Sequence, residues 1–223
     1  MFIFRLIALT ALAASPGIAA PATPAARPAT VPAAHAIEGF RSAQFGMDEA
    51  AVRAAAAHDF GIAPASLIRK VTLAEGVTIL EANLPQLDPG PGAATVQYVL
   101  GARSARLMHI NVLWDATDDG DKDARVRLIG AGLKLARYFK SYSWAPGKAL
   151  ADLPLGDNSV VLFAAQDADG ASLELRADNI AFTRQLNGKT VSSVQKAGPS
   201  HLRLAYDRNP ADQDVALPAR GAF

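Results

Sequence analysis

From Arg106 to Trp114 the chain alternates. Met108, Ile110, Val112 and Trp114 fall on one side of an extended backbone, and His109 and Asn111 fall on the other. This period of two predicts a strand with a core-facing side and a polar side. A partner strand, Thr95 to Leu100, lies just before it across Gly101. The same pattern recurs as a hairpin at Ile68 to Leu73 and Val77 to Leu80. It recurs again at Val160 to Ala164 and Ser172 to Arg176, which turn through Asp167-Ala168-Asp169-Gly170. A last strand is expected at about His201 to Tyr206. Pro85, Pro89, Gly90, Pro91 and Gly92 predict a loop, because neither strand nor helix tolerates that density of proline and glycine. Arg184 to Pro199 is polar and carries no pattern that predicts an element.

Two segments carry the helical period instead. Asp48 can cap a helix through about Phe60, with Val52, Ala55, Ala56 and Phe60 on one face and Gly61 as its stop. A longer helix is expected from about Asp121 to Tyr142, burying Val126, Ile129, Leu133, Ala136 and Phe139. Aspartates crowd its start, and Lys134, Arg137 and Lys140 load its end, which suits the helix dipole. Gly130 and Gly132 each cost about 1 kcal/mol relative to alanine, so close packing is expected at both. Strands outnumber helices and are joined by tight turns. The expected class is α+β: two helix-plus-antiparallel-strand repeats, with the helices on one face of a mostly antiparallel sheet.

The N-terminal residues set the expected location. Met1 to Arg5 is basic, Leu6 to Ala14 is apolar but for Thr10, and small residues follow through Ala20, which is the pattern of a secretory signal peptide. That apolar run is less than half of the ~20 residues a membrane span needs. The expected organisation is a signal peptide over 1–19, a Pro/Ala-rich disordered spacer over 20–36, one α+β domain over 37–206 and a loose C-terminal tail over 207–223. The protein is expected in the periplasm or secreted, without membrane insertion after cleavage. Half of the residues are apolar, enough for a core without staples, and the chain has no cysteine. That excludes disulfides, thiol catalysis and a lipid-bearing cysteine. The net charge of +1 falls to zero when Arg5 leaves with the leader, so nucleic acid is not an expected partner.

Phe45-Gly46-Met47-Asp48-Glu49-Ala50-Ala51-Val52 resembles the opening of exported bacterial domains built from a helix followed by an antiparallel sheet. These include the β-lactamase-inhibitor-protein fold and small lipoproteins of the outer-membrane assembly machinery. The helix-then-sheet order of residues 37–183 is similar to the tandem inhibitor layout. Ile37 to Ser42 and the Asp167 to Gly170 hairpin are similar to a family of exported proteobacterial proteins without assigned function. The resemblance implies an architecture; function has to come from a site.

Candidate sites are few. Asp115, Asp118, Asp119, Asp121 and Asp123 offer oxygen ligands for a hard cation such as calcium, and Gly120 stands sixth from Asp115, as glycine does in an EF-hand loop. Thr117 and Val126 depart from that motif, and charges at a helix start explain the same aspartates. Asp167 and Asp169 suit a turn, with cation binding as the other reading. The four histidines lack metal-ligand spacing, and no serine-nucleophile or dinucleotide motif is present. His109 and Asn111 are candidate binding residues on the polar strand side. Tyr142 and Trp144, with Tyr138 and Phe139 beside Arg137 and Lys140, form either a binding platform or a cover for the sheet edge. The expectation is a non-enzymatic binding or protein-interaction module without a cofactor, whose partner is another exported or envelope protein. The alternatives are calcium binding through Asp115, Asp119, Asp121 and Asp123, and an unrecognised hydrolase centred on His109 or paired carboxylates.

Overall fold

The computed structural model describes residues 34–117, 123–156 and 158–216. The expected signal peptide and most of the spacer lie outside these residues. The elements run β1 (Gly39–Phe40), β2 (Ala43–Gln44), α1 (Glu49–Phe60), β3 (Ile68–Val71), β4 (Thr78–Leu84), β5 (Ala94–Leu100), β6 (Leu107–Ala116) and α2 (Ala124–Lys140). They continue with β7 (Ala149–Leu155), β8 (Ser159–Gln166), β9 (Ser172–Asp178), β10 (Phe182–Leu186), β11 (Lys189–Ser193) and β12 (Ser200–Asp207). Eight strands make one antiparallel sheet in the order β3-β4-β5-β6-β12-β9-β8-β7, while β1-β2 and β10-β11 are separate two-stranded ribbons. The class is α+β with a mostly antiparallel sheet.

Alternation divides the sheet into two faces. Ala82, Val96, Val112, Leu204, Leu175 and Phe163 are successive cross-strand neighbours from β4 to β8, and all are buried. Both helices cover this side. Asp48 caps α1 by accepting from the Ala51 N–H at 3.0 Å, and Gly61 ends it in the left-handed region with φ 65°. Val52, Ala55 and Ala56 are its buried residues. Burying each Val, Leu or Ile of this layer is worth about 1.5–3 kcal/mol.

The long helix differs from expectation in bounds and in part of its face; Ala136 and Phe139 are buried as expected, and Ile129, partly buried, packs against the core. The helix starts at Ala124 and stops at Lys140, three residues inside and two short of the expected ends. Leu128, Ala131, Gly132, Leu135, Ala136 and Phe139 meet the core, whereas Val126 and Leu133 are exposed. Apolar residues occupy two stripes of this helix at equally good helical spacing, and periodicity alone cannot say which one turns to the sheet. The glycines also separate. A Cβ on Gly132 would meet Leu162 Cδ1 at 2.7 Å and Leu202 Cδ1 at 3.0 Å, but one on Gly130 would meet nothing within 4 Å.

Five strands were not expected: the short β1 and β2, and β7, β10 and β11. β7 is an edge strand broken by Pro154 and by Asp152, whose φ of 56° interrupts alternation. β10 and β11 turn at Asn187-Gly188, both with positive φ, the conformation that two-residue hairpin turns favour. The Pro85 to Gly92 loop is packed against the core: Leu87 is buried, and its carbonyl accepts from the Trp114 indole N–H at 3.2 Å. Gly90 rests on that indole, where any Cβ would overlap the ring.

Candidate functional site

The helix-free face is the other product of the alternation. Ile79, Val99, His109, Asp207, Ser172 and Gln166 form one row across it. Glu81, Gln97, Asn111, Ala205, Glu174 and Ala164 form the next. Charged groups pair with one another within the face, although Arg203 Nε is buried without a hydrogen-bond partner. Lys70 Nζ donates to both Glu81 oxygens at 2.9 Å and Gln97 Nε2 donates to Oε2 at 3.1 Å; chiefly through Lys70, the Glu81 carboxyl is held below its ordinary pKa. Arg203 donates to Glu174 at 2.8 Å. The face is therefore a fixed array of charge and amide groups carried on a rigid sheet, which is how a scaffold presents a recognition surface.

His109 and Asn111 lie together on it. His109 Nε2 is 3.0 Å from Asn111 Oδ1, and Nδ1 is 3.3 Å from Asp207 Oδ2. Both ring nitrogens face partners inside the sheet.

One end of the face is walled. After β12 the chain turns at Asn209 to Asp212 and runs back across the β5–β6 turn, closing a cleft of about 530 Å3. Val77, Ile79, Val99 and Met108 give the cleft an apolar floor, with His109 and Asn111 on the same floor. Met108 therefore lines the cleft, while Ile110, Val112 and Trp114 of the expected core set are buried. The ladder shifts register between Val99 and Leu100, so the alternation slips at that end of the strand pair. Asp214 ties the wall down. Its carboxylate accepts from the backbone N–H groups of Arg103 (3.1 Å) and Ser104 (2.8 Å) and from Arg103 Nε (3.0 Å). Hydrogen bonds from Ser104 and then from Arg103 hold that carboxyl far below the usual aspartate range. Gly101, which the sequence marks only as the break between two strands, packs against that carboxylate, and Asp214 itself carries no sequence signal: its bond to Arg103 joins residues 111 apart.

Tyr142 and Trp144 are on the helix side, away from His109. His35 stacks on Tyr142 with centroids 4.0 Å apart and meets Trp144 edge-on at 5.1 Å, and its N–H donates to Ser143 O at 2.7 Å. Trp144 Nε1 donates to Phe139 O at 2.8 Å and its ring packs on Phe163. The hydrogen bond with Tyr138 pushes the Tyr142 hydroxyl up to about 12. The aromatic platform is thus covered by the chain's own N-terminal segment. That segment is fastened further on, where the Ile37 N–H donates to Asp167 Oδ2 at 2.8 Å. Asp167 Oδ1 accepts from the Asp169 and Ala171 N–H groups, each at 2.9 Å, so this buried carboxylate closes its own turn.

Of the acidic cluster, Asp118, Asp119 and Asp121 lie outside the described residues. Asp115 is on the helix-free face, where its Oδ1 is 2.6 Å from His201 Nδ1, and Asp123 is the residue before α2. No group of three or more potential metal ligands occurs among the described residues. No helix among them is long and apolar enough to cross a membrane.

No family model matches this chain, and neither a curated protein nor a solved structure matches it significantly.

Proposed function

We propose that this protein is an exported, non-enzymatic binding module that meets its partner with the helix-free face of the sheet. The observation that carries the reading is the uncovered side of β4, β5, β6, β12 and β9, with its paired charges and its 530 Å3 cleft. Antiparallel sheets with helices on one side leave the other available to solvent or to a partner. A rigid sheet face with paired polar groups around a cleft with an apolar floor has the polar rim and apolar centre of a protein-recognition surface.

The strand order supports two repeats. α1 precedes β3-β4-β5-β6, α2 precedes β7-β8-β9-β12, and the two sets meet in mirror order at the β6–β12 pair. We read this as a helix-plus-four-strand unit present twice, in line with the resemblance to tandem inhibitor-type domains. The leader-like N-terminus supports export to the periplasm. The partner is accordingly an exported or envelope protein.

Leu113 sits on the free face between Thr95 and Arg203. Leu113→Glu places a carboxylate beside Arg203 and leaves the helix-side core untouched. The variant is expected to melt with the wild type and to lose capture of the partner from envelope extracts. Capture at wild-type strength would overturn the reading.

A further inference from the structure

The wall of the cleft is held by a small number of directed contacts. From Arg208 to Ala216 the segment contains no buried residue. It is joined to the sheet by Arg208 N–H to Met108 O (2.9 Å), Ala102 N–H to Asp214 O (2.8 Å), Ala216 N–H to Glu75 O (2.6 Å) and the Asp214 carboxylate. Segments with few buried contacts open locally, well before the core does.

What Asp214 binds, by contrast, is built. Two successive backbone N–H groups of the β5–β6 turn converge on one carboxylate, the arrangement that makes an anion-binding concavity. The Arg103 guanidinium adds a charge-assisted bond at 3.0 Å. Gly101 is buried beneath the carboxylate, and a Cβ there would collide with it. A fourth donor, the Ala102 N–H, takes the main-chain carbonyl of the same aspartate. An inorganic anion fills the first three positions and leaves the fourth empty. An aspartate within a peptide fills all four, as Asp214 does, and the residue that follows it, Val215, lines the cleft beside the turn.

We propose that the Gly101 to Ser104 turn is an aspartyl-peptide recognition site which the chain's own C-terminal segment occupies in the free protein, and which an acidic segment of the partner takes over by displacing Asp214. This deepens the sheet-face reading and rests on it, since displacement uncovers the Ile79, Val99 and His109 row. The strap is then a tethered competitor. A short tether presents its ligand at an effective concentration of about millimolar, so a free peptide binds the wild-type chain far more weakly than a chain whose strap cannot latch.

The test uses the full-length chain carrying Asp214→Asn and a synthetic peptide spanning Asp207 to Ala216. The peptide is expected to bind the variant at least tenfold more tightly than the wild type, and the same peptide with asparagine at its own 214 position is expected to bind neither. Absence of binding to the variant, or equal binding of both peptides, overturns the proposal. Hydrogen exchange on the wild-type chain guards against a misfolded variant. The Ala102, Arg103 and Ser104 amides are expected to exchange at least 100-fold faster than those of Tyr98 and Ile110. Exchange of both groups only through global unfolding means a permanent strap and sinks the proposal as well. Either failure leaves the Leu113→Glu experiment to judge the sheet face on its own.

Discussion

Asp167 accepts the N–H of Ile37 at 2.8 Å across 130 residues of sequence. This one bond fastens the start of the folded region to the turn between β8 and β9, beside the place where His35 covers Tyr142. With both oxygens engaged by three backbone donors, Asp167 is a structural carboxylate. Asp167→Asn keeps the shape but turns an acceptor into a donor toward at least one N–H. The expected cost is about 1–3 kcal/mol, read as a lower urea midpoint with unchanged slope. A midpoint equal to the wild type would mean that the turn needs no carboxylate.

The two glycines of α2 predict opposite responses. Gly130→Ala gains helix propensity without meeting a neighbour, and is expected to stabilise by about 1 kcal/mol. Gly132→Ala gains the same term but pushes on Leu162 and Leu202, both buried, and overpacking of this kind costs about 1–3 kcal/mol. Thermal melts of the pair should bracket the wild type. Equal shifts in one direction would contradict the packing of this helix on β8 and β12.

Gly90 is a harder constraint, because the atom in the way belongs to a rigid ring. Gly90→Ala must displace the loop from Trp114 and break the indole bond to the Leu87 carbonyl. Destabilisation by about 2–4 kcal/mol is expected, with a red shift of tryptophan emission as the indole meets water. Unchanged emission would mean that the loop accommodates the methyl group without moving.

Acid should loosen the strap. The Asp214 carboxyl has a folded-state pKa depressed below its unfolded value near 4, so its contribution is fully present above that value and fades as pH falls through the depressed one. Limited proteolysis at Arg208 is therefore expected to accelerate below about pH 4 in the wild type. In Asp214→Asn it should be fast at every pH. A pH-independent rate in the wild type would remove Asp214 as the latch.

Where turn chemistry and period agreed, the sequence predicted elements within a few residues. The helix from Asp48 to Gly61, the β5–β6 pair and the β8–β9 hairpin all belong to this group. Asn187-Gly188 is an equally strong turn signal, but polar flanks without alternation hid the β10–β11 ribbon. Pro154 and the left-handed Asp152 erased the pattern of β7. The longer helix and the C-terminal half of its buried face, Ala136 and Phe139, were legible; Val126 and Leu133 were misplaced because a second apolar stripe competed. His109 and Asn111 were legible as a polar side by alternation alone. The Asp214 contact was not, since it depends on backbone N–H groups, which every sequence carries, and on a chain reversal that no residue marks.

In the proposed function the sheet face, and not the helix side, meets the partner. Photo-crosslinking residues placed one at a time at Thr95 and Leu113 on the free face, and at the exposed Val126 and Leu133 of α2, test it in the cells that make the protein. Adducts of one common mass from Thr95 and Leu113, with none from Val126 and Leu133, are the predicted result. Adducts confined to α2, or none from the free face, would contradict it.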